Sequence, residues 1–349
     1  MARRILWFSL VLAPVVIALA YGGAGDVLVF VVAAAALIPL AWLIGEATEH
    51  AAHHTGPGVG GFLNATFGNA PELIIALFAV SNGLPEVVRG SLTGSVIGNL
   101  LLVLGFSLLF GGRGELDRFS SLLSLGLVFG AALLFLIPAI PSWEGDPERH
   151  SLAVASLPVS IALLVVYVGV TWYSLRRHRE LFHTSDEADT MKAWSFRLSL
   201  AVLAAATVVT ALVAEALVGS IETFAHEVGL SEFFVAAVIV AIVGNAAEHG
   251  GAVVVAARGK IKLAAEIALA SSAQVAVFLI PAVQLLSWAV TPALPLSFRQ
   301  VEIAAMLGAT AFVTVVLWGG QSSRGRGALL IAAYVGVAVA FFIAGDRGD

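Results

Sequence analysis

The pentapeptide "GNAPE" at residues 68–72 returns as "GNAAE" at residues 244–248, and each copy interrupts a long apolar stretch. In the second copy, Asn245, Glu248 and His249 are the strongly polar residues of "FFVAAVIVAIVGNAAEHGGAVVVAA". An ionisable side chain at the centre of a bilayer costs about 2.5–3.5 kcal/mol on insertion scales, and such residues usually mark functional sites. The two pentapeptides therefore indicate both where the fold repeats and where its chemistry is expected.

The composition indicates an all-α polytopic membrane protein. Of the 349 residues, 59% are hydrophobic and 12% are charged, whereas a soluble domain has about 25% charged residues. The chain has no cysteine, which excludes disulfides and thiolate metal sites. Eleven apolar segments are long enough to be predicted as transmembrane helices. They lie at 5–21, 27–47, 60–81, 90–110, 120–140, 151–174, 196–219, 232–256, 263–288, 299–318 and 326–344.

The distribution of basic residues predicts the orientation of these helices. We interpret the first segment as a retained helix rather than a cleaved signal peptide. With the N-terminus in the cytoplasm, the inside segments hold 14 of the 18 Lys and Arg residues and the outside segments hold 4. The C-terminus is then outside. We expect a bacterial cytoplasmic membrane, with a vacuolar-type membrane as the alternative.

The two pentapeptides belong to a longer internal repeat. They are 176 residues apart, and the same offset places "GSVIGN" at 94–99 on "ASSAQV" at 270–275. Five predicted helices separate corresponding elements, so the two copies run in opposite directions, as in many secondary transporters that bind cargo where inverted repeats meet. The predicted organisation is an N-terminal helix at 1–24, a five-helix repeat at 25–175, a cytoplasmic linker at 176–195 and a second five-helix repeat at 196–349.

The pentapeptides supply oxygen ligands that suit a hard cation. Asn69 and Glu72 are three residues apart and share a helix face, as do Asn245 and Glu248. The glycine before each asparagine, and the proline of the first copy, predict locally broken helices whose freed carbonyls also bind cations. Two facing carboxylates repel each other, and either protons or Ca²⁺ would relieve that repulsion. The alternative is a structural pair of carboxylates whose asparagines cap a kink.

The helices after the pentapeptides carry further polar side chains. Asn99 and Gln274 are interpreted as supporting the site, because an amide in lipid must find a partner. His249 either tunes the proton affinity of the site or is an interior hydrogen-bonded side chain. For the hydroxyl side chains, cation ligation and close helix packing both remain open. These are Ser91, Thr93 and Ser95 in the first repeat, and Ser271 and Ser272 in the second.

Acidic residues near helix ends are expected to line the access paths. Glu46 and Glu49 lie near the inner end of the second predicted helix, and Glu215 and Glu222 lie near the outer end of the seventh. The alternative places all four in headgroup water. The acidic "SDEAD" at 185–189 is interpreted as a solvated loop, with a weak regulatory cation site as the alternative.

Other polar residues receive simpler interpretations. His50, His53 and His54 have a helical spacing compatible with a transition metal, but no other sequence feature supports such a site. Glu266 and Glu302 are predicted to lie at helix starts, where a carboxylate complements the helix dipole.

The motifs also exclude several functions. The chain has no Walker A sequence, no G-x-S-x-G and no H-E-x-x-H, so an enzyme, a nucleotide partner and a nucleic-acid partner are not expected. No cofactor is expected, and the oligomeric state stays open. Coupling to an ion gradient is favoured. The alternatives are sodium/calcium exchange, proton exchange for sodium, potassium or manganese, a cation channel, and an intramembrane metal hydrolase that uses the histidines.

Five stretches together resemble the calcium/proton exchangers (CAX) of the cation/calcium exchanger superfamily. They are "GEATEH", "NATFGNAPELIIALFAV", "GSLTGSVIGNLLLVLG", "GNAAEHGGAVVVA" and "IALASSAQVAVFLIP", and the similarity extends from about residue 25 to 345. The resemblance implies eleven helices, with an N-terminal helix before two inverted five-helix repeats, and alternating access. It also implies that Glu72 and Glu248 bind Ca²⁺ and protons in turn. The supporting residues that it implies are Asn69, Asn245, Ser95, Asn99, Ser272 and Gln274.

The sequence departs from this family at three positions. Gly98 stands where the family usually has serine, Glu266 where it has a small residue, and Ala270 where it has glycine. Gly98 therefore removes one possible ligand of the cation.

Overall fold

The computed structural model describes residues 2–55, 63, 67–177, 194–290 and 293–347, except for the side chains of residues 2, 3, 174–177 and 247–249. The described ranges form an all-helical fold with one two-stranded β-ribbon. Nine helices of these ranges are long and apolar enough to cross a membrane, or ten if one pair bent by 111° counts as a single span. The prediction of a polytopic helical membrane protein is confirmed.

Helices and strands of the described ranges are labelled in chain order. The helices are α1 (Ala2–Ser9), α2 (Leu12–Tyr21), α3 (Asp26–Ala52), α4 (Ala70–Ser81), α5 (Pro85–Gly111), α6 (Arg118–Ala139), α7 (His150–Arg177), α8 (Phe196–Gly219), α9 (Ile221–Val228), α10 (Glu232–Gly244), α11 (Ala246–Ala257), α12 (Ile261–Ala289), α13 (Gln300–Leu317) and α14 (Arg324–Ala344). Strands β1 (Gly114–Glu115) and β2 (Gln321–Ser322) pair antiparallel. We call the end of the bundle that carries this pair the ribbon end.

Nine of the eleven predicted segments correspond to the nine single spans. The other two are the segments that carry the pentapeptides. The segment predicted at 60–81 is described as a helix from Ala70 to Ser81, and most of its earlier residues lie outside the described ranges. The segment predicted at 232–256 is two helices, α10 and α11, which meet at Asn245.

Asn245 interrupts the second segment because its backbone leaves the helical conformation. Its φ and ψ are −90° and 4°, between the last residue of α10 and the first of α11. Asn69, at the start of α4, has nearly the same angles, −94° and 14°. The predicted break at the second pentapeptide is thus confirmed, and the first asparagine occupies the equivalent conformation at a helix start.

The elements around the pentapeptides recur at the same offset of 176 residues. Helices α4 and α11 begin and end at corresponding residues. Gly83 and Gly259 then turn the chain with φ values of 72° and 84°, which favour glycine, and α5 and α12 follow. Both α5 and α12 contain a π-helical segment, Gly98–Val103 and Val275–Leu279. Such segments are rare and often lie at functional sites.

Apolar side chains from most of the helices form one continuous core. A second, smaller cluster joins α3, α4 and α8 through Ile44, Ala70 and Leu203. Asn69, Glu72 and Asn245 of the pentapeptides, and the buried polar side chains of α5 and α12, are enclosed among these helices.

Candidate cation-binding site

Asn245 links the two repeats at the break between α10 and α11. Its side-chain NH₂ group donates to Ser95 Oγ on α5 at 2.7 Å and to the carbonyl of Ala241 at 2.9 Å. A carbonyl only accepts hydrogen bonds, so these contacts fix which way the amide points. The Oδ1 atom of Asn245 is buried and accepts no hydrogen bond from any described residue. The contacts of the NH₂ group therefore hold this oxygen atom in place.

Asn69 makes the corresponding link from the first repeat. Its NH₂ group donates to Gln274 Oε1 on α12 at 3.4 Å. Asn69 is buried and Gln274 is half-buried. The structure thus brings the asparagine of each pentapeptide against a polar side chain of α5 or α12. The supporting role of Gln274 stays a prediction.

Glu72 lies directly against the second pentapeptide. A Cβ atom placed on Gly244 would be 3.3 Å from Glu72 Cγ and 3.8 Å from Glu72 Oε1. The Glu72 side chain is buried, with 7% of the residue exposed. The absence of a side chain at Gly244 therefore lets the carboxylate of the first repeat approach the helix break of the second.

Two further hydrogen bonds join α5 to α12. Asn99 donates to Ser271 Oγ at 3.1 Å, and Ser272 Oγ donates to the carbonyl of Val96 at 2.8 Å. The Oδ1 atom of Asn99 is buried and, within the described ranges, accepts no hydrogen bond. Asn99 and Asn245 thus present two free amide oxygens, and such oxygens together with carboxylates are the ligands that Ca²⁺ prefers.

Glu248 and His249 lie on α11, within its first turn. Their side chains are outside the described residues. The roles assigned to both residues from the sequence therefore stay predictions. Gly98, where the sequence departs from the family, begins the π-helical segment of α5 and is buried.

The four acidic residues expected near the access paths differ in their surroundings. Glu49, Glu215 and Glu222 are exposed on the protein surface, and Glu46 is half-buried. Glu46 Oε1 lies 3.8 Å from His50 Nε2, one turn along α3. Their role at the mouths of the pathway stays a prediction. The acidic segment 185–189 lies outside the described residues.

His50 and His54 both contact Trp194, two residues before α8, rather than one another. His50 stacks on Trp194 with ring centroids 4.6 Å apart, and His54 Nε2 lies 2.8 Å from the carbonyl of Trp194. Among the described residues, no group of three His, Cys, Asp or Glu side chains is arranged to hold a metal ion. The transition-metal interpretation therefore finds no support in that part of the chain.

The two glutamates predicted at helix starts have different positions. Glu266 lies in the second turn of α12, so that prediction was wrong; the helix begins earlier than expected, at Ile261. Glu302 does lie in the first turn of α13, where it accepts a hydrogen bond from the N–H of Arg299 at 2.7 Å. It is also buried and accepts a hydrogen bond from Thr93 Oγ1 of α5 at 3.0 Å, a contact that the sequence analysis missed.

Arg89, to which no motif of the sequence assigned a role, is the largest fully buried side chain of the described residues. It lies one residue before the predicted segment 90–110, but the structure places it in the second turn of α5. The sequence does carry one sign of this burial, because Arg89 directly precedes an apolar segment and follows Glu86 by three residues, the spacing of an ion pair on a helix. Arg89 marks a second buried polar region of α5, on a different face from Ser95 and Asn99.

Comparison with known proteins relates this architecture to one family. The profile of the family described as "Sodium/calcium exchanger protein" matches residues 26–176 and 198–343. The Ca²⁺/H⁺ antiporter ChaA of Bacillus subtilis is 39% identical over 324 residues, which cover 90% of this chain and 92% of that protein. The Ca²⁺/H⁺ antiporter of Synechocystis is 35% identical over 366 residues, 97% of each protein.

A solved structure agrees with these sequence matches. The structure of native YfkE superposes with a TM-score of 0.83 at 35% identity, and the match covers 97% of this chain and 99% of that one. These matches place the chain among membrane transporters rather than enzymes. It belongs to the sodium/calcium exchanger protein family and, within it, to the calcium/proton exchangers (CAX). The resemblance found in the sequence is confirmed.

Proposed function

We propose that the protein exports Ca²⁺ from the cytoplasm in exchange for H⁺ by alternating access. Its membership of the CAX branch supports the reaction class, as do the names of its relatives from Bacillus subtilis and Synechocystis. The oxygen-rich site between the two repeats supports a hard divalent cation as cargo, because it offers carboxylate and amide oxygens and the chain has no sulfur ligand from cysteine.

Glu72 and Glu248 are the proposed binding residues for Ca²⁺ and for protons. Asn69 and Asn245 are proposed to add neutral oxygens at the two helix breaks. The single observation that carries the proposal is the packing of Glu72 against Gly244, because it brings one motif carboxylate to the break of the other motif. Since Gly244 is four residues before Glu248, the two carboxylates belong to one site in this proposal.

The surrounding polar residues are proposed to hold this site in shape. Ser95 bonds to Asn245, Gln274 to Asn69, and Asn99 and Ser272 join α5 to α12. His249, beside Glu248, is proposed to adjust the proton affinity. Four acidic residues are proposed to line the access paths: Glu46, Glu49, Glu215 and Glu222.

Competition for the same oxygens explains how the two fluxes are coupled. A carboxylate that holds a proton no longer offers its charge to Ca²⁺, and Ca²⁺ binding displaces the proton. An empty site with two ionised carboxylates is costly to enclose in the membrane. Exchange between the two access states is therefore restricted to the Ca²⁺-bound and the protonated forms, and two carboxylates give about two protons per Ca²⁺.

The proposed architecture is that of eleven transmembrane helices. An N-terminal helix at 1–24 precedes inverted repeats at 25–175 and 196–349, which a cytoplasmic linker at 176–195 connects. The excess of basic residues on one side supports an inside N-terminus and an outside C-terminus. The similarity to bacterial relatives supports a bacterial cytoplasmic membrane.

The proposal is tested by Ca²⁺ uptake into proteoliposomes under an imposed pH gradient. We expect uptake that requires the gradient, that a protonophore abolishes, and that falls to background in Glu72→Gln and in Glu248→Gln. Glu115→Gln, at an exposed position of β1, is the matched control and should transport like the parent. Full exchange in either site variant would contradict the assignment. Uptake that depends on sodium at constant pH would instead favour sodium/calcium exchange.

A further inference from the structure

The ribbon end of the protein carries an excess of positive charge. Residues 112–118, 258–262 and 318–326 meet there and contain seven cationic and two acidic side chains, although the whole chain has a net charge of −5. The cationic residues are Arg113, Arg118, Arg258, Lys260, Lys262, Arg324 and Arg326. We call these three segments the basic patch. All of its cations except the half-buried Arg326 are exposed, so this surface attracts anions.

Two arginines of the basic patch lie against the turn that leads into β2. A Cβ atom placed on Gly320 would be 2.7 Å from Arg118 Cγ, and one placed on Gly319 would be 3.6 Å from Arg326 Nη2. Side chains at these two positions would therefore crowd the arginines. The glycines let Arg118, which begins α6, and Arg326, in the first turn of α14, approach the same turn.

A third arginine reaches the other strand of the ribbon. Arg324, the first residue of α14, has its Nε atom 3.8 Å from the position that a Cβ atom on Gly112 would take. The exposed Arg113 directly follows that glycine. Guanidinium groups from separate elements thus gather around the two-stranded ribbon.

These arginines differ from the lysine beside them in how their charge is balanced. Lys262 Nζ lies 3.4 Å from Asp117 Oδ2. Among the described residues, no carboxylate forms an ion pair with Arg113, Arg118 or Arg324. Their positive charge is therefore available to an anion from outside the chain.

Exposed aromatic rings border the arginines where the helices end. The Arg118 guanidinium carbon lies 5.7 Å from the centroid of the Trp318 ring. Trp318, which directly follows α13, and Phe119 in the first turn of α6 are each 62% exposed. Tryptophan is enriched where membrane helices pass from hydrocarbon into the headgroup layer. The arginines therefore lie at the depth of lipid headgroups, beside apolar surface that an acyl chain can cover.

We propose that Arg118, Arg324 and Arg326 bind the phosphate group of an anionic phospholipid from the surrounding membrane, whose acyl chains lie along Trp318 and Phe119. Guanidinium groups suit this ligand because they donate paired hydrogen bonds to phosphate oxygens. Basic pockets between transmembrane helices on the cytoplasmic side bind anionic headgroups in the same way. A choline headgroup fits less well, because the patch repels its ammonium group. This lipid site depends on the proposed function only for its orientation, which places the ribbon end in the cytoplasm.

Native mass spectrometry of the full-length protein in detergent tests the proposal. The protein is titrated with phosphatidylglycerol and, separately, with phosphatidylcholine of the same acyl chains. We expect tighter binding of phosphatidylglycerol, and we expect Arg118→Gln and Arg324→Gln each to weaken it about fivefold. An equal concentration of inorganic phosphate should not displace the lipid, because it lacks the acyl chains that contact the aromatic rings.

Two controls separate a site from general charge attraction and from loss of the fold. Arg197→Gln removes the same charge from an exposed position of α8, which packs against α3 and α4, and should bind phosphatidylglycerol like the parent. Thermal unfolding without added lipid should be the same in all variants. If Arg118→Gln is less stable because it packs against Gly320, Arg324→Gln decides the outcome.

Three results would overturn the proposal. Equal binding of the two phospholipids would show that the patch does not select anionic headgroups. Weakening by Arg197→Gln as large as by Arg324→Gln would show that only the total charge matters. Displacement of the lipid by inorganic phosphate would assign the arginines to a free anion. Lipid binding is measured without Ca²⁺, so its failure is distinct from a failure of calcium/proton exchange in proteoliposomes.

Discussion

Helix α5 has two buried polar faces, and they satisfy their polar groups in different ways. On one face, Ser95 and Asn99 bond to amide and hydroxyl groups of the other repeat. On the other face, Arg89 pairs with carboxylates and Thr93 bonds to Glu302. The first face leaves amide oxygens free in the described structure, while the second balances its charges within the protein.

Under the proposed function, this difference separates the buried carboxylates that are structural from those that bind cargo. A carboxylate paired with a buried arginine is neutralised permanently, and separating the pair leaves an uncompensated charge. In the proposed function, a carboxylate of the cation-binding site is instead neutralised by a proton or by Ca²⁺ that arrives from outside. Burial alone does not distinguish the two cases. The hydrogen-bond and ion-pair partners of each carboxylate distinguish the two cases, and these partners come from distant parts of the chain.

The largest effect is expected from breaking the structural face. Arg89→Met removes the buried cation and leaves the carboxylates of Glu86 and Glu148 without it, which should destabilise the protein by about 3–5 kcal/mol. Thermal unfolding in detergent measures this loss. Arg258→Gln, at an exposed position, is the control and should change stability by less than about 0.5 kcal/mol. Equal stability of the two variants would contradict a structural role for the arginine.

A smaller effect is expected where α5 meets α10. Gly94→Ala places a methyl group 2.0 Å from a backbone oxygen of α10, and a backbone atom cannot rotate away. We expect a loss of about 1–3 kcal/mol in unfolding free energy, measured by denaturant titration. Gly126→Ala, on α6, meets no described atom within 4 Å and should stabilise its helix by about 0.5–1 kcal/mol. This packing requires the free energy of unfolding to fall in Gly94→Ala and to rise in Gly126→Ala.

Substitutions in the proposed cation-binding site should change the affinity for Ca²⁺ rather than the stability of the protein. Asn245→Ala removes the buried oxygen that accepts no hydrogen bond among the described residues, so the KM for Ca²⁺ should rise about tenfold, equivalent to about 1.4 kcal/mol. Initial rates of uptake into proteoliposomes measure it. Asn82→Ala, at an exposed position after α4, should leave KM unchanged. An unaltered KM in Asn245→Ala would mean that this amide only supports the helix break.

The smallest effect is expected at the surface carboxylate of Asp117, which caps α6. It accepts a hydrogen bond from the N–H of Ser120 at 3.0 Å and lies 3.4 Å from Lys262 Nζ. The Ser120 bond is the main cause that lowers the pKa of Asp117, and Lys262 adds to it. Asp117→Ala should cost about 1 kcal/mol at pH 7.

The pH dependence of that cost follows from the lowered pKa. A carboxylate whose pKa is lower in the folded protein stabilises it above the unfolded pKa, about 3.9, and loses this contribution as the pH falls through the folded pKa. The difference in unfolding free energy between parent and Asp117→Ala should therefore shrink below about pH 4. A difference that grows on acidification would contradict the assigned interaction.

The break at the second pentapeptide could be predicted from the sequence, whereas the long-range contacts of Asp346 and Arg89 could not. The repeated pentapeptides predicted the break at Asn245. Asp346, in contrast, caps α10 from 114 positions away, and Arg89 bonds to a carbonyl 206 positions away. No periodicity or local motif connects such residues, so only the folded chain reveals the pairing.

Errors in helix boundaries had a local cause. Glu266 was expected at a helix start because the apolar run begins at residue 263, whereas α12 begins at Ile261, directly after the turn at Gly259 and Lys260. Glu302 was expected to complement a helix dipole, and it does, but its bond to Thr93 depends on the packing of α13 against α5. Helix propensity and charge do not specify that contact.

The most direct test of the account is the number of protons released when Ca²⁺ binds. Isothermal titration calorimetry of the purified protein, in two buffers of different ionisation enthalpy at the same pH, gives that number. At a pH where both carboxylates are protonated, we predict about two protons per Ca²⁺, falling to about one in Glu72→Gln if binding persists. Ca²⁺ binding without proton release would contradict the claim that the same carboxylates hold the cation and the protons.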